Sequence, residues 1–184
     1  METWVVVGLV AAVLVWLAAV YNRLVATRNK VEEAWSGIDV QLTRRADLVP
    51  QLVETVKGYQ LHEQQVLASV TDARTRAVQA EGPRASGRAD DLLEGALQRL
   101  FAVAEAYPDL KASESFLSLQ RDLVTLEEDI SFARRYYNAL VERLNTAIQR
   151  FPTMLVAGPL GFRPAEYFKA DADAAHAPAA GFRP

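Results

Sequence analysis

From Thr3 to Asn22 the chain carries no charged side chain. The run reads TWVVVGLVAAVLVWLAAVYN, about twenty residues. A helix rising about 1.5 Å per residue covers roughly 30 Å over that length, the thickness of a bilayer's hydrocarbon core. Trp4 and Tyr21 lie near its two ends, where interfacial aromatics sit. A buried helix of a soluble protein rarely lacks a polar face for so long. A cleaved signal peptide is the competing reading, since Ala18-Ala19-Val20 contains small residues. Such a peptide wants basic residues ahead of its apolar core, and only Met1 and Glu2 precede this one. Residues 3–22 are therefore expected to be a transmembrane anchor in contact with lipid. Arg23, Arg28 and Lys30 follow directly, and no Lys or Arg comes before. The positive-inside rule then puts the amino terminus outside and the remaining chain in the cytoplasm.

Residues 23–151 read as a helical bundle domain. In the stretch from Ser113 to Phe151 the positions Phe116, Leu119, Leu123, Leu126, Ile130, Ala133, Tyr137, Leu140, Leu144, Ile148 and Phe151 recur in steps of three and four. That is a heptad stripe on one helical face. Ser113 is the expected N-cap, with Pro108 upstream and Pro152 downstream. The stretch from Arg23 to Ala80 carries a second stripe, through Leu24, Val31, Trp35, Ile38, Leu42, Val49, Leu52 and Val56. Pro50 sits inside it without disturbing its phase, which favours a kinked helix over a loop. The segment 81–87, EGPRASG, reads as a connection. A shorter helix is expected from about Arg88 to Ala106, closed by Tyr107-Pro108-Asp109. Short connections between one-sided helices give an antiparallel bundle. A strong bend near Pro50 yields four helical segments; a straight helix there yields one rod against two returning helices. The four-segment bundle is preferred.

Residues 152–168 are apolar but broken by Gly and Pro. They are expected to pack on the bundle or on a partner, with Phe162, Tyr167 and Phe168 as anchors. Residues 169–184 are rich in Ala, Asp and Pro and are expected to be disordered. The tetrapeptide Gly-Phe-Arg-Pro stands at 161–164 and again at 181–184. Chance explains such a repeat; a repeated docking peptide is the sharper reading.

Chemistry is hard to place on this chain. It has no cysteine, hence no disulfide, thiolate metal site or cysteine nucleophile. His62-Glu63 opens like a zinc-protease helix, but Val66 stands where the second histidine would fall. No Glu-x-x-His pair, no Gly-x-Ser-x-Gly elbow and no phosphate-binding glycine loop occurs. A net charge of −3 argues against nucleic-acid binding. Arg44, Arg45, Arg74, Arg76, Arg134 and Arg135 are interspersed with acids and read as a solvated mixed surface. No cofactor, metal or small-molecule substrate is indicated, and the expectation is a non-enzyme.

Longer segments carry a resemblance. They are the anchor followed by Tyr21-Asn22-Arg23-Leu24, then residues 28–42, RNKVEEAWSGIDVQL, and 44–59, RRADLVPQLVETVKGY, with His62-Glu63. Tyr107-Pro108-Asp109-Leu110-Lys111-Ala112, Arg134-Arg135-Tyr136-Tyr137-Asn138, Phe151-Pro152 and residues 161–168, GFRPAEYF, complete the series. In this order they resemble the LemA family of bacterial membrane-anchored proteins, over nearly the whole chain up to about residue 168. The resemblance implies a single-pass anchor in the bacterial inner membrane, a soluble four-helix bundle and no established catalysis. One branch of that family is associated with building intracellular membrane organelles in magnetic bacteria, which implies membrane organisation or protein recruitment. The family positions Asp47, His62, Glu63, Asn138, Phe162, Tyr167 and Phe168 are expected to dock a partner, while Pro50 and Tyr59 are read as structural. The expected function is a membrane-anchored helical scaffold for protein–protein interaction or self-assembly, with a homo-oligomer or a membrane protein as partner. The alternative is an accessory or regulatory subunit of a membrane enzyme such as a protease.

Overall fold

The computed structural model describes residues 1–59 and 63–168, and all regular structure among them is helical. The expectations for His62, for residues 169–184 and for the second Gly-Phe-Arg-Pro lie outside the described residues. Six helices follow in order: α1 (Glu2–Lys57), α2 (Gln64–Gln79), α3 (Pro83–Ala104), α4 (Pro108–Lys111), α5 (Glu114–Gln149) and α6 (Met154–Ala157). The fold is all-α, an apolar N-terminal helix leading into a helical bundle. The described chain divides into two compact units, Met1–Gln41 with Glu127–Glu166, and Leu42–Leu126 with residues 167–168.

In the first unit α1 contributes both the apolar run and the first packed residues. The apolar window has a mean hydropathy of 2.5 and none of it is buried. Without a turn of interruption the same helix then buries Leu24, Val31, Ala34 and Ile38. The unit's share of α5 buries Ile130, Tyr137, Leu140, Val141, Leu144 and Ile148. The ring of Trp35 meets that of Tyr137 with centroids 5.9 Å apart. The heptad stripe thus holds as far as Ile148, but its last expected member, Phe151, is 73% exposed. The helix stops at Gln149, so the periodicity no longer fixes where Phe151 points.

The second unit is built on a hairpin of α2 and α3, with α1, α4 and α5 adding to its core. Val49, Leu52, Val56, Val70, Leu93, Leu97, Leu100, Leu110 and Phe116 are all buried in one cluster. Fully burying such a side chain contributes about 1.5–3 kcal/mol relative to leaving it exposed. The ring of Phe101 meets that of Phe116 edge-on at 6.0 Å.

Two boundaries differ from expectation and a third agrees with it. Helix α1 runs through Pro50 and ends at Lys57, so the separate segment arises after Gly58 and not at the proline. Helix α3 begins at Pro83, five residues before Arg88. Gly82 takes φ +80°, and Pro83 occupies the first helical position, where a missing N–H has no intrahelical partner to lose. The early start buries Ser86, Gly87 and Ala89. Helix α5 starts after Ser113, whose hydroxyl accepts the Phe116 N–H at 3.5 Å, as a loose N-cap.

Arg45 is also not where composition put it. It is 3% exposed and donates from Nη1 to Oδ1 of Asp90, itself 5% exposed, at 2.9 Å. The steps Ile38, Leu42, Arg45, Val49 and Leu52 keep the four-three rhythm of the buried stripe, so a charge occupies a core register. Asp90, at a core register of α3, offsets the cost of burying that charge.

Candidate functional site

The most constructed feature of the first unit is a clasp made by the chain after α6. Helical turns continue from Ala157 to Leu160, and Gly161 then adopts φ +80°. The Phe162 N–H donates to the Ala157 carbonyl at 3.0 Å, and the Gly161 N–H to the Gly158 carbonyl at 2.9 Å. These two bonds define a Schellman ending, which requires a left-handed residue at the position of Gly161 and places an apolar one next to it. That apolar residue is Phe162, buried to 5%.

Phe162 is held from two sides. Tyr21, at the end of the uncharged run, meets its ring edge-on at 5.8 Å. The Arg28 guanidinium lies over the ring, 5.6 Å from its centroid, a cation–π arrangement. Beyond it the backbone is fastened to α5. The Asn145 amide pairs with both backbone groups of Ala165: Nδ2 donates to the carbonyl at 3.0 Å, and Oδ1 accepts the N–H at 2.8 Å. The Tyr137 hydroxyl donates to the Glu166 carbonyl at 2.8 Å. Burial, and then the neighbouring Glu166 carboxylate, push the Tyr137 phenol up to about 12. It is therefore a permanent donor at physiological pH.

The described residues expected to dock a partner differ widely in exposure. Phe162 is in the clasp, and Phe168 is buried to 1%. Tyr167 between them is 40% exposed. Asn138 is half-buried on α5, next to Tyr137. Asp47 is exposed on α1. Glu63 is exposed just before α2; its backbone carbonyl accepts the N–H groups of Val66 and Leu67, while its side chain makes no cap. Asn145 was not singled out by sequence. The available signal was a poor helix former placed beside Leu144 on the buried stripe, where propensity alone disfavours it. Among the described residues no group of three His, Asp or Glu side chains is placed to hold a metal ion.

An apolar helix of membrane-spanning length, continued directly into a packed helical domain, defines a membrane-associated helical protein. The chain belongs to the LemA family, whose model matches residues 34–182. Among curated proteins it is similar to magnetosome protein MamQ 2 of Paramagnetospirillum magneticum, with 27% identity over 186 residues, covering 87% of this chain and 68% of that protein. It is also similar to protein LemA of Metamycoplasma hominis, 29% identical, with 81% and 68% covered. Magnetosome protein MamQ of Magnetospirillum gryphiswaldense is 28% identical, with 80% and 64% covered.

Proposed function

We propose that this chain is a non-catalytic scaffold, anchored in the bacterial cell membrane by residues 3–22, which assembles with itself or with another membrane protein. The observation that carries the reading is the single helix α1, which is both span and core element. A domain joined to its anchor without a linker is held at the membrane in a set orientation, which suits positioning better than capture at a distance. The polar side chains of the clasp support the same view, since each is used to fasten the chain to itself. Similarity to proteins named as magnetosome proteins supports a role in membrane organisation.

Crosslinking in membranes, followed by light scattering of the detergent-solubilised full chain, tests it. A discrete homo-oligomer, or a stable complex with one membrane protein that has no enzymatic activity, is the expected result. A monomer without a crosslinked partner overturns the proposal, and so does a one-to-one complex whose partner enzyme changes rate when this chain is removed.

A further inference from the structure

We infer that the first unit has a second contact with the bilayer besides its span: the segment from Phe151 to Leu155, a loop running into the start of α6, enters the interface, and a basic groove beside it takes the phosphate of an anionic lipid headgroup. The placement of the loop comes first. Phe151, Pro152 and Thr153 line a cavity of about 250 Å³ together with Trp16, Val20 and Leu24 of α1. Trp16 and Val20 belong to the uncharged run. Trp16 lies six residues before Asn22, or about 9 Å deeper along the helix axis. A loop beside these residues is therefore at the level of the membrane boundary.

Its composition suits that level. Phe151, Met154 and Leu155 are 73%, 54% and 63% exposed. Three adjacent large apolar side chains facing outward are costly in water and favourable in an interface. Irregular backbone near hydrocarbon must satisfy its own donors. The N–H groups of Met154, Leu155, Val156, Ala157, Leu160, Gly161 and Phe162 all donate to carbonyls between Arg150 and Gly158.

The groove supplies the charge. It has a volume of about 560 Å³ and is lined by Arg23 and Lys30 of α1, by Arg143 of α5 and by Arg150 just beyond its end, with Glu142 its one acid. None of these four basic side chains holds an ion pair among the described residues. Arg23 and Arg150 also border the cavity lined by Phe151, Pro152 and Thr153, so two of the four cations lie beside this segment. Lys30 lies seven residues beyond Arg23, about 10 Å, which spans the headgroup layer. An apolar patch joined to a basic cluster is the two-part signal of an interfacial lipid contact.

The full chain has no cysteine, so one probe site can be introduced cleanly. Leu155→Cys, labelled and reconstituted in vesicles of phosphatidylcholine with phosphatidylglycerol, is expected to be quenched by acyl-chain quenchers and shielded from iodide. Thr75→Cys, exposed on α2, is the water-facing control. Iodide quenching of both sites alike overturns the inference. Shielding of Leu155→Cys from both quenchers overturns it too, because a protein then covers the loop. For the groove, the preference of the solubilised protein for phosphatidylglycerol over phosphatidylcholine is read by native mass spectrometry. A basic residue near an anionic surface is worth about a factor of five, so R143Q/R150Q lowers the preference about twenty-five-fold. R143K/R150K retains it, which separates charge from folding. Unchanged preference in R143Q/R150Q overturns the headgroup site, as does displacement of the lipid by millimolar inorganic phosphate. Crosslinking of the same samples reports self-assembly separately, so the scaffold reading stands or falls on its own.

Discussion

Arg74 donates from Nε to the carbonyl of Ala46 at 2.9 Å. That carbonyl lies four residues before Pro50, which has no N–H to offer it. In an uninterrupted helix the amide of residue 50 would be its partner. A side chain from α2 therefore supplies the donor that the proline withholds, and α1 continues to Lys57. Proline's cost inside a helix has two parts, a lost bond and a steric clash; the arginine offsets the first.

This pairing predicts a measurable coupling. Arg74→Met should lower stability by about 1–2 kcal/mol in denaturant titrations of the detergent-solubilised protein, leaving a carbonyl unsatisfied. In a Pro50→Ala background, where the helix supplies its own donor, the same change should cost about 1 kcal/mol less. Equal losses in both backgrounds would show that Arg74 does not serve the proline.

The ion pair of Arg45 and Asp90 predicts a different pattern. Asp90→Ala leaves a buried guanidinium without its carboxylate and should destabilise by about 3–5 kcal/mol. Arg45→Met with Asp90→Leu removes both charges at similar volume and should recover most of that loss. Denaturation midpoints of the two variants decide the matter.

The clasp should open locally before the bundle unfolds. Asn145→Ala removes both bonds to Ala165 and should cost about 1–3 kcal/mol. The loss should appear as faster amide hydrogen exchange confined to residues 162–166, with little change in the α2–α3 hairpin.

Gly161 and Gly158 make a matched pair. Neither has an atom within 4 Å of an added Cβ, so crowding is not the issue at either position. Gly161 has φ +80°, whereas Gly158 has φ −58°. Gly161→Ala should therefore cost about 1–2 kcal/mol from backbone conformation alone, and Gly158→Ala should be neutral or stabilising. Thermal unfolding of the two variants measures the contrast.

The phenol of Tyr137 predicts a pH effect with a definite sign. Its value in the folded chain is about 12, against an ordinary 10.0. Between these values the unfolded chain has lost the proton while the folded chain keeps it. Stability contributed by this group is thus complete below pH 10 and is lost as pH rises towards 12. Tyr137→Phe should flatten stability over that window.

Much of this was legible in the sequence because burial follows period. The stripe from Phe116 to Ile148 and the anchoring role of Phe162 both rest on apolar residues at helical or terminal positions. Arg45 was misread because residue type was weighed above register: it occupies the core rhythm of its helix, but a charge was assumed to be solvated. Asn145 escaped because its partner, the backbone of Ala165, has no side-chain signature. The start of α3 escaped because Gly82-Pro83 reads equally as a loop and as a helix entry, and only the burial of Ser86 and Gly87 separates the two.

The unbroken helix α1 has a mechanical meaning. Nothing between Asn22 and Leu24 can absorb a rotation, and each residue of displacement along a helix turns its neighbours by about 100°. Whatever seats the first twenty residues in lipid, including thickness, tilt and lateral pressure, reaches Leu24, Val31 and Ile38 as the same torque and the same rise. For this domain the bilayer is not a surface to which a finished fold is tethered. A rotation of the apolar segment is also a rotation of the face that α1 buries in the first unit.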